Sequence, residues 1–208
     1  MDYRIKLILQ EIDSNDTVLD IGCVHHSAEV ANTAKWLHKY LYGKAKYVLG
    51  MDILECEVEK LRNSGYNVIV ADAENFKLDQ KFDVIIAGEL IEHLSNPGKF
   101  LERCKDHLKD KGKLILTTPN AWCILNLISV IFKGFPPLNV EHTCWYDKKT
   151  VAQLLDRYGF KIDKFDFVKP PRGARGWLLA HMLYNLGFKQ LGGVGLFVVC
   201  RRESDTHE

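Results

Sequence analysis

Glu89, Glu92 and His93 crowd into one short stretch, and His142 follows later in Glu141-His142-Thr143-Cys144-Trp145-Tyr146. Histidine changes protonation near neutral pH, so a positioned imidazole can take the proton of an attacking hydroxyl. His142 is therefore the first candidate for a catalytic or acceptor-positioning residue, and His93 the second. If residues 89 to 93 make one helical turn, Glu89 faces both Glu92 and His93. With His142 they would present two carboxylates and two imidazoles, a donor set that suits a divalent cation. The plainer alternative needs no metal: Glu89 faces a cofactor, Glu92 and His93 hold the loop, and His142 bonds nearby backbone.

A second group consists of acids at the ends of apolar runs. Thr17-Val18-Leu19-Asp20-Ile21-Gly22-Cys23 reads as a buried strand that breaks at Gly22, with Ser27 able to cap a following helix. Strands over 46–52 and 67–72 end in Asp52 and Asp72. A carboxylate at the second strand's end can accept protons from both hydroxyls of a ribose. The turn narrows the ligand: a dinucleotide needs G-x-G-x-x-G so that backbone and helix approach a pyrophosphate, and only Gly22 of that set is present. S-adenosyl-L-methionine has no phosphate, and its sulfonium and ammonium groups suit acids such as Asp20 and Glu89.

These residues need a scaffold, and the hydrophobic pattern supplies one. A short leading helix over 3–12 precedes alternating strands (17–21, 46–52, 67–72, 81–88, 113–118) and helices (28–42, 54–64, 97–109). Asn96-Pro97 caps the third of these helices, and Gly112 is expected to stop it. The run 82–87 is nearly all apolar, as in a parallel strand covered on both faces. The pattern predicts an α/β fold: a doubly wound, Rossmann-like parallel sheet with right-handed crossovers. Residues 121–135 are apolar almost all round and are either a buried helix or a lid. A helix over 148–158, a strand over 161–168, a helix over 176–186 and a final strand over 195–201 follow, the last two strands pairing antiparallel.

The chain has 208 residues, room for one domain with a substantial core, and a formal charge of +1. Without a net field, nucleic acid is not an expected partner. The six cysteines include no C-x-x-C pair and mostly sit beside apolar residues, so they read as reduced packing thiols of a cytoplasmic protein. No apolar run reaches the roughly 20 residues that span a bilayer. The segments 121–146 and 170–190 are hydrophobic enough to form an acceptor-side lid for an apolar or lipid-linked molecule, or a face for peripheral membrane contact. Oligomeric state is not legible. His25 and His26 sit where they could reach a cofactor, Arg172 and Arg175 where they could hold an acceptor's anion; His38, His107 and His181 read as solvated or packing groups.

Taken together, the sequence resembles the class I S-adenosylmethionine-dependent methyltransferases over about residues 15–160. Val18-Leu19-Asp20-Ile21-Gly22-Cys23 is similar to their first motif, Asp52 to the ribose acid, Asp72-Ala73-Glu74 to the adenine-contacting stretch, and Phe82-Asp83-Val84-Ile85 to the fourth motif. Gly88-Glu89-Leu90-Ile91-Glu92-His93-Leu94 and Thr117-Thr118-Pro119-Asn120 resemble segments of the ubiquinone-biosynthesis O-methyltransferase branch. The resemblance implies seven strands with the last antiparallel, and a single domain over 1–208. It implies a cofactor site of Asp20, Gly22, Cys23, Asp52, Ile53, Asp72, Ala73 and Glu89, and methyl transfer, O-directed, to a small-molecule or glycan-precursor acceptor. Two alternatives accompany it: a non-catalytic binding module on the same fold, and a metal-assisted RNA 2′-O-methyltransferase using Glu89, Glu92, His93 and His142. The family's turn is written G-x-G-x-G, whereas Val24 and His26 replace the second and third glycines here.

Overall fold

The structure, a computed structural model, describes residues 2–24, 27–33, 36–137, 139–171 and 177–203. Seven strands, β1 (Thr17–Ile21), β2 (Tyr47–Asp52), β3 (Val68–Val70), β4 (Phe82–Gly88), β5 (Leu108–Pro119), β6 (Phe160–Val168) and β7 (Gly195–Arg202), form one sheet. Their order is β3-β2-β1-β4-β5-β7-β6. Pairs among β1 to β5 are parallel, and β7 inserts antiparallel between β5 and β6. The chain reverses its winding between β1 and β4, and at such a switch point the strand ends leave a crevice for ligands.

Central strands are apolar because both of their faces are covered. Leu19, Ile85, Leu114 and Leu116 join one core cluster with Phe100, Leu101 and Leu155. On the other face Val18, Val84, Ile86 and Ile115 pack with Ile8 of helix α1 (Tyr3–Leu9) and Leu41 of α2 (Leu37–Tyr42). Three further helices lie along the chain: α3 (Glu55–Asn63), α4 (Pro97–His107) and α6 (Lys148–Arg157). The Asn96 side chain accepts from Lys99 N at 3.0 Å and starts α4. Asp147 and Thr150 form a reciprocal capping box at the start of α6.

Two expectations about elements need correction, and a third, left open between a buried helix and a lid, is decided. The helix expected over 28–42 is a 3-10 turn, Ala28–Asn32, followed by the short α2. Trp36 separates them in an extended conformation, because its buried indole donates to Cys23 O at 2.7 Å and a continuous helix would carry it away. Gly112 does not stop α4; the helix ends at His107 and the chain enters β5 directly. Gly112 instead lies where a Cβ would meet Phe82 O at 2.9 Å, beside the register shift between β4 and β5. The apolar stretch 121–135 forms α5 (Ile124–Lys133), which has no fully buried residue and so is not a core helix. It packs beside α7 (Leu178–Asn185), and a short α8 (Lys189–Gly192), not expected from the sequence, follows. Among the described residues no helix is long and apolar enough to cross a membrane. All six cysteines are free thiols, and four of them, Cys23, Cys104, Cys123 and Cys200, are buried.

Candidate active site

An open cleft of about 1960 Å³ runs across the C-terminal ends of the parallel strands. It exceeds the roughly 300–1,000 Å³ of an ordinary small-ligand pocket, so two reactants fit side by side. One half is walled by Gly22, Asp52, Ile53, Asp72, Ala73 and Glu89; the other by Glu92, His93, Asn126, His142, Trp145 and Trp177.

Gly22 leaves β1 at φ +75°, a left-handed conformation that glycine adopts without cost, and a Cβ there would stand 3.2 Å from the Leu90 side chain. Its N–H donates to Met51 O at 2.8 Å, which ties the turn to β2. Asp52 closes β2 with its carboxylate nearly buried; Oδ2 accepts from Val24 N at 2.9 Å and Oδ1 from Leu54 N at 3.1 Å. Two oriented backbone donors fix this carboxylate while leaving acceptor lone pairs for ligand hydroxyls. Ile53 beside it is 66% exposed, an apolar surface offered to the cleft. Asp72 accepts from Glu74 N at 2.9 Å and Asn75 Nδ2 at 2.7 Å, so its loop is similarly fixed.

Val24 does not obstruct the cleft. Its side chain is fully buried with Trp36, Val58 and Leu61, and only its N–H points at Asp52. A valine at this position has been turned into the core. His25 and His26 lie outside the described residues, as do Arg172 and Arg175.

Asp20 and Cys23 border a smaller adjoining pocket with Gly22 and Trp36 instead of the main cleft. Asp20 is 3% exposed, and its Oδ2 lies 2.8 Å from Nδ1 of His38, which is fully buried on α2. His38 is thus neither solvated nor a mere packing group. Its Nε2 finds no partner among the described residues. Burial, and the negative charges of Asp20 and Asp52, push the Cys23 thiol far up, so it is not a nucleophile.

The acceptor half is built on β4, β5 and the loop before α6. Glu89 follows β4 with φ +55°, unusual for a residue with a side chain, and its N–H donates to Thr117 O at 2.9 Å. The expected helical turn over 89–93 does not form; a 3-10 turn covers only Ile91–His93. Consequently Glu89 does not stack on Glu92 and His93. Its Oε1 lies 3.7 Å from the Arg4 guanidinium of α1. Glu92 points inward at 1% exposure, taking a hydrogen bond from Thr118 Oγ1 at 2.9 Å on Oε2, while Oε1 has no partner among the described residues. Burial, and then the charge of Glu89, push the Glu92 carboxyl up to about 8.

His93 and His142 meet edge to face with ring centroids 4.7 Å apart. Thr143 straps the two segments together: its N–H donates to Glu92 O at 2.8 Å, and its hydroxyl lies 2.8 Å from Leu94 O. Burial, and then the neighbouring His93, hold the His142 imidazole below its ordinary value, so it is neutral and able to accept a proton at pH 7. Ligand atoms of Glu92, His93 and His142 all lie within 4.8 Å of one another. These three, without Glu89, are the group of described residues that could hold a metal ion. An unpartnered buried carboxylate oxygen beside two imidazoles fits that use.

Arg4, His38, Thr118 and Thr143 were missed from sequence. His38 had a signal: Gly50 interrupts β2, and a Cβ there would meet the His38 ring at 2.6 Å. Glycine inside a strand marks such a close approach.

A switch-point crevice with a glycine turn, fixed acids after β2 and β3, and a seven-stranded sheet carrying one antiparallel insertion define the Rossmann-like class of S-adenosylmethionine-dependent methyltransferases. The model of the methyltransferase domain family matches residues 1–164, and the chain belongs to that family. It is 29% identical over 115 residues to N-methyltransferase 4 of Papaver somniferum, a match covering 54% of this chain and 32% of that protein. Against the ubiquinone biosynthesis O-methyltransferase of Rickettsia akari it is 25% identical over 170 residues, 73% of this chain and 64% of the relative. The chain thus spans about a third of the length of the N-methyltransferase and somewhat less than two-thirds of the O-methyltransferase. Magnesium protoporphyrin IX methyltransferase from Synechocystis, solved with bound S-adenosylhomocysteine, shares the fold at a TM-score of 0.62 and 15% identity, covering 96% of this chain and 82% of that one.

Proposed function

We propose that this protein, one methyltransferase domain over 1–208, moves the methyl group of S-adenosyl-L-methionine to an oxygen of a small-molecule or glycan-precursor acceptor in the cytoplasm. The observation that carries the reading is the imidazole of His142 lining the same cleft as the fixed acids Asp52 and Asp72. Asp52 and Ile53 would hold the ribose, and Asp72 and Ala73 the adenine. Gly22 would leave room for the methionine portion, Asp20 and Cys23 would shape the turn beneath it, and Glu89 would face the cationic groups. The cofactor supplies an activated methyl on sulfur. This chain's part is alignment and exclusion of water: His142 takes the acceptor's hydroxyl proton as the oxygen attacks the methyl carbon, and the S–C pair of electrons returns to sulfur. His93 flanks His142 and orients it. The apolar wall formed by Leu125, Trp145 and Trp177 supports an acceptor with apolar or lipid-like character.

A metal-assisted variant is favoured by one observation, the grouping of Glu92, His93 and His142. A divalent cation held there would polarise the acceptor hydroxyl. Transfer of labelled methyl to a panel of phenols, catechols and sugar-linked hydroxyls tests both readings. Product formed equally with EDTA and with Mg²⁺ supports the imidazole route; product only with the cation supports the metal route. No transfer to any acceptor would leave a binding module on the same fold.

A further inference from the structure

We infer that the paired outer faces of α5 and α7 dock this protein on an anionic lipid bilayer. This contact goes beyond methyl transfer and does not depend on it. Ile131 and Phe132 on α5 are 76% and 81% exposed, with Phe135 just beyond its end. Leu178 and Met182 on α7, and Leu186 and Phe188 after it, continue the surface. The two helices are in contact, and the i, i+4 spacing of Leu178 and Met182 puts both on one face of α7. Exposed aromatic and aliphatic residues concentrated this way mark an interaction surface.

Charge selects the partner. From Ala121 to Val140 and from Phe167 to Val194 the sequence has no Asp or Glu, although the chain contains 27; the charged residues there are all basic, Lys133, Lys169, Arg172, Arg175 and Lys189, the last of them paired with Asp166 at 2.9 Å. The rest of the chain is therefore net acidic. A second copy would set like charges against like, whereas a bilayer with anionic headgroups supplies both the opposite charge and an apolar layer for the side chains. Geometry agrees: Leu125 and Asn126 of α5, and Trp177 at the start of α7, line the cleft, so docking turns the acceptor mouth towards lipid.

The intact chain is sedimented with vesicles of phosphatidylcholine alone and of phosphatidylcholine containing about one-third phosphatidylglycerol. Binding at least about tenfold stronger to the anionic vesicles, weakening as salt rises, is expected. Ile131→Ser with Phe132→Ser should lower that binding at least about tenfold, with circular dichroism and melting temperature unchanged because both side chains are in solvent. Lys133→Glu should lower it too. Absence of binding to anionic vesicles, or equal binding to both, would overturn the inference. So would a concentration-dependent dimer that the double substitution abolishes, since the occupant would then be a second copy.

Discussion

Replacing Glu92 by Gln should make the protein more stable, and increasingly so as pH rises. The carboxyl is 1% exposed, receives one hydrogen bond from Thr118, and leaves its other oxygen without a partner near Glu89. Its pKa is pushed from 4.5 to about 8. Between these values the folded chain holds a proton that the unfolded chain has released, so the folded state is progressively disfavoured as pH rises. At about 1.4 kcal/mol per pH unit the cost of retaining Glu92 reaches about 5 kcal/mol at pH 8 and vanishes below pH 4.5. Gln keeps the acceptor for Thr118 and has no proton to lose. For a chain of this size, 1 kcal/mol corresponds to about 2–4 °C in melting temperature. The wild-type and Glu92→Gln melting curves should therefore diverge by about 3–6 °C per pH unit between pH 5 and pH 8, the variant lying higher. Calorimetric scans of both proteins across that range, without added metal, measure this. If the two melting temperatures run parallel with pH, Glu92 is not held protonated by the fold and the reasoning fails.

His142→Gln should lower kcat by about 10²- to 10⁴-fold while leaving S-adenosylhomocysteine affinity within about twofold, since it removes a proton acceptor and not a cofactor contact. The depressed pKa of His142 places the acid limb of the wild-type rate below pH 6.5; a limb centred above 7 would count against His142 as the base. His38→Ala leaves the Asp20 carboxylate buried without its hydrogen-bond partner and should cost about 3 kcal/mol, seen as a melting temperature about 10 °C lower. An unchanged melting temperature would mean the pair carries no structural weight.

Sequence patterning made most of this fold legible because both the alternating elements and the acid-ended strands are local signals. The antiparallel pairing of residues 195–201 with 161–168 followed from short strands late in the chain, and the structure has it. What escaped depends on partners distant in sequence. The run 28–42 has helical spacing throughout, yet Trp36 is drawn out of it by a carbonyl at Cys23. The burial of His38 against Asp20 is signalled only indirectly, by the glycine at position 50 inside a strand, and not by its own helix. The stacking of Glu89 on Glu92 assumed α-helical geometry, and the positive φ of Glu89 removes it. Val24 stands where the family's turn has glycine, and spacing cannot say which way a turn residue points; the structure buries it. The apolar run 121–135 stands out by composition, but composition alone does not separate a core helix from one facing solvent, which is what α5 is.

The account stands most directly on S-adenosylmethionine occupying the crevice with Asp52 on its ribose. Titration calorimetry of S-adenosylhomocysteine into the wild-type chain and into Asp52→Ala measures this. One saturable site is predicted for the wild type. Loss of charge-assisted hydrogen bonds worth about 1.5–3 kcal/mol should weaken binding by about 10- to 100-fold in the variant. No heat with the wild type at millimolar ligand, or equal affinity in a folded Asp52→Ala, would contradict it.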